Sequence, residues 1–196
     1  MANIYFHKSI EDPYIPLPVF PPIHPAELKS SNFDYNLPIK GVIKIFTDGY
    51  RLIYIGEYKV GCAFVIYVDG GLVEYRNFRL TDYSTVFNAE LWMILLSLQW
   101  MHQININSET NIYSDSHSSF QALSNTNTND YLVQMIKNTF NSITKFHWIK
   151  AHKGYEGNEE ADRQAKLACQ KSTIDQTCQS NRHAIKTDNK NRTYEE

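Results

Sequence analysis

Residues 86 to about 102 read VFNAELWMILLSLQWMH, a run that would be apolar on nearly every side of a helix. A helix of that kind cannot be a solvated surface element and must be buried against a sheet. The preceding sequence supplies strands for it. Residues 42–47 and 60–68 are rich in β-branched and aromatic residues, and 72–80 follows the second run across Asp69-Gly70-Gly71. The Asp-Gly pair between two such runs marks a hairpin turn. Three consecutive antiparallel strands therefore precede the helix, with residues 48–59 read as an irregular loop and Ser84 or Thr85 as the helix N-cap.

Beyond the helix, residues 111–114 form a short strand, 118–123 a helix and 124–130 a polar loop. Leu132, Met135, Ile136, Phe140 and Ile143 recur at helical spacing, 146–150 is a further strand, and a glycine-containing loop at 152–157 leads to a last helix capped by Asn158 and running to about residue 170. The order βββ-α-β-α-α-β-α makes an α/β chain: a mixed five-stranded sheet with helices on its faces. All seven prolines lie within the first 38 residues. Proline removes backbone donors and favours extended chain, so 1–38 reads as a linker or wrapped arm, 39–170 as one domain and 171–196 as a polar, frayed tail.

At 196 residues and 42% hydrophobic content the chain suits a single domain with a sizeable core, and its net charge of -2 gives no global pull toward polyanions. Any nucleic-acid binding must rest on a local basic surface, on metal ions or on an attached module. Cys62, Cys169 and Cys178 have no paired spacing, which fits neither a disulfide framework nor a zinc site, and points to a reducing interior compartment. The longest greasy stretch, 91–101, is too short to span a bilayer, and no membrane association is expected.

Four acidic residues require explanation: Asp48 after IKIFT, Glu90 at the front of the apolar helix, Asp115 after TNIYS, and Asp162 in GNEEAD. Each has a local alternative. Asp48 before Gly49 suits a turn, Asp115 before Ser116 suits a helix cap, and Asp162 with Glu159 and Glu160 suits a helix N-terminus. Glu90 is harder to place, since an unpaired charge inside an apolar helix costs several kcal/mol. If strand 1 is central, its end adjoins the end of the fourth strand, and packed helices can bring Glu90 and Asp162 to the same point. Four carboxylates together repel unless cations neutralise them, and an all-oxygen set suits Mg²⁺ or Mn²⁺. Two such ions serve in-line attack on a phosphodiester.

With these motifs in hand, the sequence resembles the type 1 ribonuclease H family, whose members cut the RNA strand of RNA/DNA hybrids. The resemblance covers about residues 43–169 and rests on TDG, NAELWMILLSLQW, IYSDS and WIKAHKGYEGNEEADRQAK; STVFNAEL and WIKAHKGYEGNEEAD are similar in style to the domains of non-LTR (LINE-type) retrotransposon polyproteins. It implies a ribonuclease H-like fold, with two Mg²⁺ ions (Mn²⁺ as a substitute) on Asp48, Glu90, Asp115 and Asp162. It assigns His152 to a mobile loop, assisting proton transfer or product release, a role suited to imidazole.

By the same resemblance Gly49, Thr85, Ser116 and His117 contact the hybrid, where 2′-hydroxyls distinguish RNA from DNA. Asn158, at a position commonly polar in the family, is assigned to hybrid contact with them. Tyr50, Phe87 and His117 depart from the small polar, asparagine and glutamine residues found there in relatives. The basic protrusion of some cellular members is replaced by 124–130, which leaves Lys150, Lys153, Arg163 and Lys166 as the local cationic group and implies a weak grip. Trp92 and Trp100 are spaced for core packing. The implied partners are an RNA/DNA hybrid and an adjoining reverse transcriptase in a longer polyprotein. A monomer is expected, intracellular, in the nucleus or alternatively the cytoplasm.

Other readings are a catalytically inactive ribonuclease H-like module that binds or spaces other domains, a DNA-cutting transposase or integrase, and a glycosidase. Integrases use three acids and lack the His152-to-Asp162 arrangement, while a glycosidase would need an aromatic sugar platform beside paired carboxylates.

Overall fold

The computed structural model describes residues 3–4 and 41–175. Its elements are β1 (Asn3–Ile4), β2 (Ile43–Tyr54), β3 (Glu57–Val68), β4 (Gly71–Leu80), α1 (Val86–Gln103), β5 (Thr110–Ser114), α2 (His117–Ser124), α3 (Tyr131–Thr139), β6 (Thr144–Trp148) and α4 (Glu156–Cys169). The five expected strands form one mixed sheet in the order β6-β5-β2-β3-β4, antiparallel across β2, β3 and β4 and parallel across β2, β5 and β6. A sixth strand, the two-residue β1, pairs antiparallel with β6 at its edge. It comes from the segment 1–38 read as a proline-rich arm, whose other residues lie outside the described residues, as do 39–40 and the tail beyond 175.

Period-two alternation in β2 divides the sheet into two faces. Ile43 and Ile45 join Ile112, Phe146 and the buried side of α1 in the main core, while Phe46 joins Val65, Tyr67 and Ala161 of α4 in a smaller one. Helix α1 is buried from Ala89 to Leu98 without interruption, as its apolar sequence requires, and the Thr85 hydroxyl caps it by accepting from Asn88 N–H at 3.1 Å. Among the described residues no helix is long and apolar enough to cross a membrane.

Several boundaries differ from the sequence reading. Strand β2 does not end at Thr47 but continues to Tyr54, pairing with β3 down to Tyr54↔Glu57. Strand β6 starts and ends two residues earlier than expected, and α3 stops at Thr139, leaving Ile143 outside it. Helix α4 begins at Glu156, with Tyr155 at the cap position and no side-chain cap bond, so Asn158 is not the cap. It can start early because Gly157 packs on the Phe46 ring, where a Cβ would lie 2.2 Å from a ring carbon. Residues 171–175 run beside β4, where Lys171 Nζ donates to Asn77 O at 2.7 Å and Arg79 N–H donates to Asp175 Oδ2 at 2.7 Å.

Candidate active site

The parallel ladder between β2 and β5 ends at Thr47↔Ser114. The next residue on each strand is an aspartate, so Asp48 and Asp115 stand side by side where the two chains part. Asp48 is thus a mid-strand residue, opposite Ala63 of β3, and the expectation that it closes a strand end is corrected. Glu90 arrives from α1. That helix can come this close because the next β2 residue is Gly49, where a Cβ would lie 2.9 Å from Ala89 Cβ and 3.0 Å from Glu90 N.

Asp48, Glu90 and Asp115 each place a carboxylate oxygen within 4.8 Å of the others, and the first two are buried. Their titration follows from that crowding. Burial, then the charges of Asp115 and Asp162, push Asp48 up to about 8, against a smaller opposing effect of the Gly49 backbone N–H. Burial, then the charges of Asp48 and Asp115, hold Glu90 well above the usual carboxylate range, and Glu90 is hydrogen-bonded to Asp48. Two buried acids crowded beside a third carboxylate thus each hold a proton more tightly than an ordinary carboxyl.

Neighbouring side chains fix the carboxylates in place. Ser114 Oγ donates to Glu90 Oε2 at 3.4 Å and accepts from Ser116 N–H at 3.2 Å. Asn158, freed from capping, donates through Nδ2 to Asp115 Oδ2 at 3.1 Å. The Trp148 indole N–H donates to the Asp115 carbonyl at 3.0 Å, and His117 packs edge-on against that indole at 5.8 Å. Ser114 and Trp148 were not among the sequence candidates; their bonds cross between elements and leave no local sequence signal.

Asp162 lies on α4 near enough for its charge to act on Asp48, yet it stands outside the three-carboxylate group and pairs with Lys166 at 2.6 Å. His152 is exposed in the loop between β6 and α4, with a left-handed backbone at φ 52°. It is not part of the cluster. Of the residues assigned to hybrid contact, Gly49 and Asn158 support the acids directly. Thr85 and Ser116 are N-caps of α1 and α2, and His117 rests on Trp148. The supposed basic group divides: Arg163 turns to Glu160, at 2.6 Å, and only Lys166 meets an acid of the site.

A mixed sheet covered by helices on both faces, with carboxylates gathered where β2 and β5 separate, defines a ribonuclease H-like domain. Residues 40–170 match the RNase H family, and the chain belongs to that family. No curated protein matches the chain. Among solved structures it is similar to a foamy viral protease-reverse transcriptase in complex with dsDNA, at 17% identity and a TM-score of 0.57 over 68% of this chain and 97% of that one. It is also similar to the foamy viral protease-reverse transcriptase in complex with RNA/DNA hybrid, at 15% identity and a TM-score of 0.58 over 86% of this chain, and spans 22% of that protein's length. RNase H1 from the archaeon Halobacterium salinarum NRC-1 aligns at 17% identity and a TM-score of 0.49 over 65% of this chain and 97% of that one. At these identities the likeness to the viral proteins is one of fold.

Proposed function

We propose that this chain is an endonuclease that hydrolyses the RNA strand of RNA/DNA hybrids with two Mg²⁺ ions, Mn²⁺ serving as a substitute. We further infer that it works within, or derives from, a retroelement polyprotein carrying a reverse transcriptase, and acts in the nucleus. The observation that carries the reading is the convergence of Asp48, Glu90 and Asp115 within 4.8 Å in a chain of the RNase H family.

The donor set fits a hard divalent cation. All three groups offer carboxylate oxygen, and the mutual repulsion that raises Asp48 is what a bound cation would relieve. Bound there, divalent ions supply Lewis-acid activation of water and stabilise charge on the departing oxygen. The chain's own residues do the rest. Asp48, Glu90 and Asp115 would hold the first cation and Asp162 would contribute to the second. Ser114 and Asn158 keep Glu90 and Asp115 oriented, so that their oxygens need little rearrangement. His152, exposed on its loop, assists proton transfer or product release. Gly49, Thr85, Ser116 and His117 face the hybrid from the same end of the sheet.

The test is cleavage of end-labelled RNA/DNA hybrid, duplex DNA and duplex RNA of one sequence, each with Mg²⁺ and with EDTA. The proposal expects internal cuts in the RNA of the hybrid alone, lost in EDTA. Cleavage of duplex DNA in preference would instead favour integrase-type chemistry, and no cleavage of any duplex would favour the inactive module.

A further inference from the structure

The four acids do not behave as one group. Three face a common point, whereas Asp162 Oδ2 is held 2.6 Å from Lys166 Nζ, one helical turn farther along α4. An i,i+4 pair on a helix is preformed by the helix itself. The same ammonium lies over the ring of Tyr50, 5.2 Å from its centroid, and Tyr50 stands two residues after Asp48 on the strand that α4 covers.

We propose that Lys166, seated between Asp162 and the Tyr50 ring, competes with the second divalent cation for Asp162 and so makes the two cation positions unequal. The inference rests on the divalent-cation reading of the site. Its physical basis is that an ammonium and a dication drawn to one carboxylate repel each other, and the repulsion is weakly screened where the carboxylate is mostly buried. Asp162 keeps 18% of its side-chain surface exposed and Lys166 45%, so the ammonium has room to swing into solvent when a cation displaces it. The arrangement also accounts for Tyr50, whose ring face holds the ammonium where a small polar residue would not. Lys166 is on this account a positioning residue that sets the order of filling, the three-carboxylate position first and Asp162 second.

Mn²⁺ binding to the full chain without nucleic acid, followed by the electron paramagnetic resonance of free Mn²⁺, tests this independently of activity. The wild type should bind one ion tightly and a second more weakly. Lys166→Met should tighten the second position about five- to tenfold and leave the first within about twofold. Tyr50→Phe, which keeps the ring, should match the wild type, while Tyr50→Ala should move part of the way toward Lys166→Met. Arg163→Met, whose guanidinium is engaged by Glu160, should change neither position.

A second position unchanged or weakened in Lys166→Met, or both positions tightened alike, would overturn the inference and leave the site's cation reading standing. Absence of any bound ion in the wild type would overturn that reading, and the inference with it. Melting curves of each variant establish that it is folded, which the exposure of Lys166 favours.

Discussion

The chemistry of single residues is dominated by the Asp48–Glu90 pair. Asp48 has a folded pKa of about 8 against an ordinary 3.8, so the fold favours its protonated form. In the absence of divalent cations the associated stability is fully present below about pH 4 and is lost as pH rises toward 8, an effect on the order of a few kcal/mol. Melting temperatures in EDTA should therefore fall for the wild type between pH 5 and pH 8 relative to Asp48→Asn, and added Mg²⁺ should close the gap; parallel curves would contradict this. Asn158→Ala should leave the fold intact and lower hybrid cleavage by about 10- to 100-fold, since Asp115 loses the amide that orients it. Of the acids only Glu90 is chemically out of place in its local sequence; Asp48, Asp115 and Asp162 each suit a turn, a cap or a helix N-terminus, and are singled out through the family resemblance. What the sequence concealed was company: Asn158 reads as a cap because caps have a local signature, while Ser114 reaches Glu90 and Trp148 reaches Asp115 across elements, contacts that have none.

At the scale of elements, the apolar run of α1 and the Asp69-Gly70 turn announced themselves, and both are where they were expected. The long β2–β3 hairpin was missed. Its two-residue turn, Ile55-Gly56, has both φ angles positive, at 52° and 78°, the geometry that Asn-Gly or Asp-Gly normally marks. A β-branched residue in that conformation is strained, so the turn is written in residues that do not signal it. Ile55 is 85% exposed and little burial would be lost on replacing it. Ile55→Asn should then stabilise the chain by about 1 kcal/mol, seen as a higher denaturation midpoint with unchanged slope. A lowered midpoint would show that the Ile55 side chain contributes packing that its exposure does not suggest. Packing of α4 on β3 is the opposite case, dictated by Gly61, where a Cβ would stand 2.3 Å from Ala165 O. Gly61→Ala should cost at least about 2 kcal/mol, because the colliding atom is backbone.

For the molecule as a whole, the net charge of -2 and the dispersal of its cations bear on how a hybrid is held. Arg163 is engaged by Glu160, Lys145 by Glu109 and Lys171 by Asp175. Arg51 and Lys59 lie over Tyr58 and Tyr54 on the extended hairpin, beyond the acids. Among the described residues few cations are left to neutralise phosphates, so the hybrid affinity these residues supply should depend only shallowly on salt, with a log–log slope of about -4 or less in magnitude. A slope near twice that would reveal a basic surface supplied from elsewhere in the chain. The central claim is that the carboxylates gathered at the end of the β2–β5 ladder are the catalytic centre. Its most direct measurement is the rate of hybrid cleavage in Mg²⁺ by the wild type and by Asp115→Asn, an isosteric change that keeps an acceptor for Asn158. A fall of at least about 100-fold with an unchanged melting temperature is the predicted result. Cleavage within a few-fold of wild type by the folded variant would contradict it.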